Sequence, residues 1–329
     1  MQAHSLRMLS NMSCSEKSGV IVSQYTPEHK NLWDKFVSNS KNGVFLFYRD
    51  YMEYHSNKFK DNSLLFFKNG KVVGLLPANI NNAALHSHAG LTFGGIISSF
   101  DMTTTLMMEI FENLVSYCKE QGIRKILYKA IPHIYHLIPA EEDLYALFRC
   151  NAKLKYRTVS SSIYLLRKMK YDHNRKRLIE KANKNGLVVK RSFDFSCFMK
   201  IVEKVLMEYH WAKPVHTAEE IRLLAERFPD NIKLFSSFKN EVMLAGVIIY
   251  ESASVAHSQY GANSNEGRLV GAEDVIFDYL IKDYYKDKKY FDFGTSTEKF
   301  GKALNHGLIR YKEGFGSRAV VYDCYQLSI

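Results

Sequence analysis

The chain has 329 residues, 46% of them hydrophobic and 24% charged, with a formal net charge of +11. That supplies a sizeable core, and the length suits two domains better than one. The apolar stretches are strand-sized, short of the ~20 residues a membrane-spanning helix requires, and five scattered cysteines with no C-x-x-C pair disfavour both a disulfide framework and a zinc site.

Residues 1–20 are polar and Met/Ser-rich, with no apolar block before a small-residue cleavage site, and read as a disordered lead-in rather than a signal peptide. A reducing cytoplasm is the expected compartment. Residues 27–39 and 49–57 read as helices. Strands follow from Leu64 to Ser98, broken at Asn69-Gly70, Asn81-Asn82 and Gly94-Gly95. A long amphipathic helix is predicted over Thr103–Gln121, then a strand at Ile126–Tyr128, a short acid-started helix to Phe148 and a strand at Val159–Leu166.

Between Lys153 and Arg191 stand thirteen basic residues against two acids, so this one tract accounts for the whole net charge. It includes a predicted connector helix over 172–185. Such a tract is either a solvated helix face or an electrostatic lure for an anion: a phosphorylated or nucleotide-linked substrate, tRNA or membrane headgroups.

The second half opens with a helix over Ile201–Tyr209 and another announced by Thr217 and Glu220, the spacing of a capping box. From Ile232 the order is strand, strand, strand, helix (Val270–Tyr285) and strand (Tyr290–Phe293). This repeats the first half at an offset near 170 residues. Leu64–Gly70 and Leu234–Asn240 both turn at Phe-Lys-Asn. The expected fold is therefore α+β, as two similar domains, 21–166 and 167–329, each a mostly antiparallel sheet flanked by helices.

The strongest local signal is the strand Val255–Tyr260, then a polar segment, Gly261–Arg268, entering the long helix. Bare amides at a helix start make an anion seat, which assigns Asn263, Ser264, Gly267, Arg268 and Gly271 to cofactor binding. Alternation along the strand puts His257 and Gln259 on one face, Ser258 and Tyr260 on the other. His257 is the candidate general base, Glu298 its rival and Tyr260 a candidate proton donor to a leaving group. His210 and His216, between two helices, are candidates to shape an acceptor pocket. Lys312, in a segment 312–316 read as a strand bend, is a candidate substrate contact. His86 with His88, and His133 with His136, lack accompanying carboxylates or cysteines, and no metal is expected.

Arg268-Leu269-Val270-Gly271-Ala272 resembles the pyrophosphate motif of the GNAT acyltransferase superfamily, from whose last position Glu273 departs. Tyr290–Glu298 with Leu304–Gly316 is similar to the closing motif of FemAB-like proteins, which are tandem GNAT-fold proteins. The resemblance covers the chain from about Tyr25 and implies an acyltransferase moving an acyl group, such as acetyl, from coenzyme A to an amine of a sugar or cell-envelope precursor. The alternative to this leading reading is an aminoacyl-tRNA-dependent transferase on a cell-wall precursor, and a third is a non-catalytic binding protein. It implies a small-molecule acceptor, nucleotide- or lipid-linked, handled in the cytoplasm or at the inner membrane surface. The first half lacks an arginine before its long helix and places Asp101 near the helix start, so donor binding is assigned to the second half and acceptor binding or scaffolding to the first.

Overall fold

The repeated Phe-Lys-Asn turn has a backbone cause. In a computed structural model, which describes residues 19–329, β2 (Leu64–Lys68) and β3 (Lys71–Leu76) are joined by two residues, as are β10 (Ile232–Lys239) and β11 (Val242–Glu251). Two-residue hairpins want left-handed φ at both positions, and here Asn69 (φ 51°) and Gly70 (75°) match Asn240 (49°) and Glu241 (61°). Asparagine tolerates this region better than other residues with a Cβ. The lead-in expected over residues 1–20 lies, as far as residue 18, outside the described residues.

The first half also holds β1 (Ile21–Gln24), α1 (Lys30–Ser38), α2 (Arg49–Met52), β4 (Asn79–Asn81), β5 (Ala84–His86), β6 (Ile97–Ser98), α3 (Thr104–Glu120), β7 (Lys125–Lys129), α4 (Glu142–Arg149) and β8 (Lys153–Tyr164). The second continues with α5 (His173–Lys184), β9 (Val188–Ser192), α6 (Phe195–His210), α7 (Ala218–Arg227), β12 (Val255–Asn263), α8 (Asn265–Val270), α9 (Ala272–Tyr279), β13 (Tyr290–Thr295), β14 (Thr297–Glu298), β15 (Ala303–Leu304), α10 (His306–Glu313) and β16 (Arg318–Ser328). The capping box at Thr217 and Glu220 is present in full.

Strands of both halves join in one ten-stranded sheet, in the order β4-β5-β7-β16-β8-β13-β12-β11-β10-β9, beside a four-stranded sheet β1-β2-β3-β6. The last strand of the chain, β16, lies between β7 and β8 of the first half. One core gathers under α3 and another under α9, while a third spans both halves, where Phe45 and Tyr51 meet Phe228 and Tyr250. No helix among the described residues is long and apolar enough to cross a membrane.

Three local expectations change. The polar loop expected over Gly261–Arg268 is nearly absent: β12 stays paired with β11 to Asn263, and Ser264 alone connects it to α8, whose Gly267 amide its hydroxyl caps. The long helix predicted from Val270 breaks at Gly271 (φ 75°) and ends in a π turn over Leu280–Tyr284. Segment 312–316 is no strand bend: Asn305 caps α10, which runs to Glu313.

Gly271 has no room for a side chain, since a Cβ there would collide with the Leu178 carbonyl oxygen of α5. Left-handed strain and overpacking together make Gly271→Ala cost roughly 2–4 kcal/mol. Thermal unfolding should show the loss directly as a lower Tm.

Candidate functional site

β12 and β13 run parallel but pair at three positions only, ending at His257 opposite Asp292. Beyond that rung Gly294 takes φ 77°, the strands part, and a cleft of about 870 Å³ opens between them. β12 also carries a bulge: Ile248 faces Tyr260 and Ile249 faces Ser258, so Gln259 is the extra residue. Strict alternation fails there, and His257, Ser258 and Gln259 all line the cleft.

Asp292 sits at the apex, fully buried. His257 Nδ1 lies 2.7 Å from its carboxylate, which also accepts from Ser160 Oγ at 2.7 Å, from Ser162 Oγ, from Tyr322 Oη at 3.1 Å and from the Gly294 amide at 3.3 Å. Burial on its own would raise the pKa. The His257 hydrogen bond and charge, with the two serine hydroxyls, outweigh it and hold the carboxyl below the usual aspartate range. Because the Asp292 carboxylate accepts a hydrogen bond from Nδ1–H, the proton stays on Nδ1 and Nε2 is the basic nitrogen of His257. The pair has the geometry of a base with its orienting carboxylate.

Lys312 is buried and donates to the carbonyls of Gly294 (2.8 Å) and Thr295 (2.9 Å), pinning β13 where it departs from β12. Burial pushes its pKa down to about 8, against the opposing pull of Asp292 and Glu273. It lines the cleft, and its ammonium is engaged with backbone.

Glu273 hangs from the first turn of α9 into the same cleft. Its carboxylate accepts from Asn263 Nδ2 (2.8 Å) and Tyr311 Oη (3.2 Å), and its amide donates to Asn263 Oδ1 (3.1 Å). Burial, then repulsion from Asp274, push its pKa up to about 7. Asp274 pairs with Arg175 of α5, whose guanidinium lies 4.5 Å from the Tyr311 ring centroid.

The residues assigned to an anion seat are therefore differently employed. Ser264 and Asn263 occupy helix-start amides themselves, Gly267 packs α8 against the Leu244 carbonyl, and Gly271 meets α5. Arg268 lines the cleft with its guanidinium 4.5 Å from the Tyr209 ring centroid. With Glu273 and Asp274 in the first turn of α9, this corner does not fit a pyrophosphate.

Tyr260 lies away from the cleft. Its hydroxyl bonds to His216 Nδ1 (2.8 Å) and accepts from the His216 amide (3.3 Å), and the His216 ring stacks on Tyr54 of the first half. These two residues thus build the seam between halves. His210 ends α6, and its side chain lies outside the described residues. Glu298 is exposed on β14, accepts from Asn305 Nδ2 (3.2 Å) and lines a neighbouring chamber rather than the His257 cleft. Of the basic tract, Arg175 is buried in the cleft wall and Arg157 is paired with Asp323, whereas Lys176, Arg177, Lys181 and Lys184 stand exposed along α5.

Sequence reasoning missed Asp292 as the centre of the site, and with it Ser160, Ser162, Tyr311 and Tyr322. One signal was available: serines at alternate positions of a strand headed for the core need a buried polar partner.

No protein-family model and no curated protein matches the sequence. In structure the chain is similar to FemX, with a TM-score of 0.66 at 12% identity, covering 94% of this chain and 97% of that one. L-PGS from Bacillus licheniformis gives 0.59 at 12% identity over 95% and 94%. The C-terminal domain of a protein assigned as a lysylphosphatidylglycerol synthetase from Agrobacterium fabrum gives 0.57 at 10% identity over 92% of each chain. At such identities the likeness is one of fold. The protein has the fold seen in FemX and in L-PGS.

Proposed function

We propose that this protein is a tandem GNAT-fold acyl-group transferase whose donor is an aminoacyl ester, carried as a charged tRNA, and whose acceptor is an amine. The single observation that carries the reading is the Glu273 carboxylate lining the cleft below the His257–Asp292 pair. A carboxylate there repels a pyrophosphate and suits the α-ammonium of an aminoacyl group. The neighbour whose description names a lysylphosphatidylglycerol synthetase agrees in kind, since that name couples an amino acid to an anionic lipid. Helix α5 adds a route: its exposed lysines and arginine suit a phosphate backbone, and its Arg175 and Leu178 reach the cleft itself.

In this scheme the acceptor amine gives a proton to His257 Nε2 as it attacks the ester carbonyl. Collapse of the tetrahedral adduct breaks the ester bond, and the departing ribose hydroxyl takes that proton back. Asp292 holds the imidazole in the tautomer that permits both transfers. The acceptor belongs to a sugar or cell-envelope precursor, met in the cytoplasm or at the inner membrane surface.

A second reading keeps acetyl or another acyl coenzyme A as donor, favoured by Arg268 on the cleft wall. Filter binding of charged tRNA across a salt series should show affinity falling steeply with salt, and calorimetry with acetyl-coenzyme A should show no saturable heat. Saturable acetyl-coenzyme A binding with no salt-dependent tRNA binding would replace the first reading by the second.

A further inference from the structure

A second chamber of about 340 Å³ adjoins the His257 cleft, and Thr92, Thr295 and Tyr322 line both. Tyr322 is also the residue whose hydroxyl reaches Asp292. The chamber thus starts at the reacting centre and leads away from the donor side. We propose that it is the acceptor subsite and takes a hexose-sized saccharide carrying an anionic group. The inference rests on the transferase reading and adds to it the class of acceptor.

Three features of the chamber select that ligand. Its lining holds four threonines, Thr92, Thr158, Thr295 and Thr297, with no Asn or Gln among the described residues. Thr297 Oγ1 is buried without a hydrogen-bond partner. Hydroxyls in this number match a sugar, whereas a base edge is read by amides.

The second feature is the turn between β14 and β15. Lys299 (φ 50°), Phe300 (55°) and Gly301 (83°) are consecutive left-handed residues, an arrangement that costs strain and clusters where a ligand is clamped. Gly301 is pressed on β8, where a Cβ would collide with the Arg157 carbonyl oxygen. The turn holds Phe300 76% exposed at the chamber wall, its ring 5.6 Å from that of Tyr156. A large aromatic held out in water by a strained turn is a stacking platform, and the apolar face of a pyranose is one partner it fits.

Third comes a cation at the far end. Tyr322 and Cys324 share a face of β16, and Cys324 stands opposite both Tyr156 and Lys129. Two residues of strand span about 7 Å, roughly one hexose ring. Lys129 lines the chamber there and donates to the Leu91 carbonyl. The acids that line the chamber are engaged with other residues, Asp323 with Arg157 at 2.6 and 2.7 Å and Glu298 with Asn305. A sugar with its amine at Tyr322 therefore places an anionic substituent at Lys129.

Calorimetry with glucosamine 6-phosphate, whose amine and phosphate lie across the ring from each other, and with glucosamine and inorganic phosphate separately, tests this on the full chain. Glucosamine 6-phosphate should bind saturably, at least tenfold tighter than either fragment. Phe300→Ala should weaken it at least tenfold, Phe300→Trp should retain it, and Lys129→Gln should reduce it to the level of glucosamine. Phe300 is exposed, so its replacement leaves the fold intact and the result interpretable. Absent binding, or binding that neither Phe300→Ala nor Lys129→Gln alters, overturns the proposal. Charged-tRNA binding on the same samples separates the two claims: its loss with saccharide binding intact removes the donor reading alone, and the converse removes the chamber alone.

Discussion

Asp292→Asn should lower the transfer rate by roughly 10³-fold to 10⁴-fold, the loss seen when a base's orienting carboxylate becomes an amide. Five donors converge on Asp292: His257, Ser160, Ser162, Tyr322 and the Gly294 amide. An amide at this position brings its own N–H into that ring, and His257 adopts the other tautomer, with its proton on Nε2 and no base facing the cleft. Asp292→Ala leaves the donors unsatisfied altogether and should cost about 3–5 kcal/mol, read as a fall in Tm. The sign with pH follows from the lowered pKa. A carboxyl more acidic in the folded than in the unfolded chain contributes stability above the unfolded value, near 4, and loses it as pH falls through the folded one. The wild type should therefore shed stability below about pH 4, and Asp292→Ala should show less of that acid limb. A variant with normal transfer rates would show that the chemistry uses another base.

The outline of the fold was readable because its punctuation is local. Phe-Lys-Asn turns, the Thr217 capping box and the break at Asn81-Asn82 each act within a few residues, and the repeat followed from comparing them. The basic tract was legible as charge but not as structure, since nothing in Arg175 itself distinguishes the buried partner of Asp274 from the exposed lysines beside it. What could not be read depends on distant strands meeting. Asp292 becomes central only because β8 and β16 bring Ser160, Ser162 and Tyr322 against it, and β16 arrives from the far end of the chain. The bulge at Gln259 was hidden for the same reason, because it exists only against β11. His257 could be singled out as a candidate because its chemistry is intrinsic to the residue. Its orienting partner was not, because Asp292 looked like an ordinary strand terminus. The anion seat shows the reverse error: bare amides were inferred from a loop that the structure replaces with paired strand and a serine cap.

Glu273→Gln should separate stability from function. Glu273 Oε2 receives both Asn263 Nδ2 and Tyr311 Oη, so a glutamine can present its carbonyl oxygen there and keep both bonds. What it cannot do is carry charge. Burial and Asp274 raise the pKa of Glu273 to about 7, so the folded chain ionises it only as pH rises through neutrality. An acid raised in this way loses stability as pH climbs from its unfolded value, about 4.3, through the folded one. At pH 8 the wild type bears that penalty, on the order of 2 kcal/mol for a partly buried group, and Glu273→Gln does not. Its Tm should exceed the wild-type value at pH 8 and converge with it near pH 4. Binding should move the other way, because the carboxylate is the proposed partner of the donor's ammonium. A charge-assisted hydrogen bond lost to a neutral amide is worth about 1.5–3 kcal/mol, so charged-tRNA affinity should fall by roughly 10-fold to 100-fold. Uncharged tRNA, which lacks the aminoacyl group, should bind wild type and variant alike. Equal loss for both forms would place Glu273 in tRNA docking generally. If Glu273→Gln instead gained affinity for acetyl-coenzyme A, the carboxylate would be what keeps a pyrophosphate out of an otherwise receptive cleft.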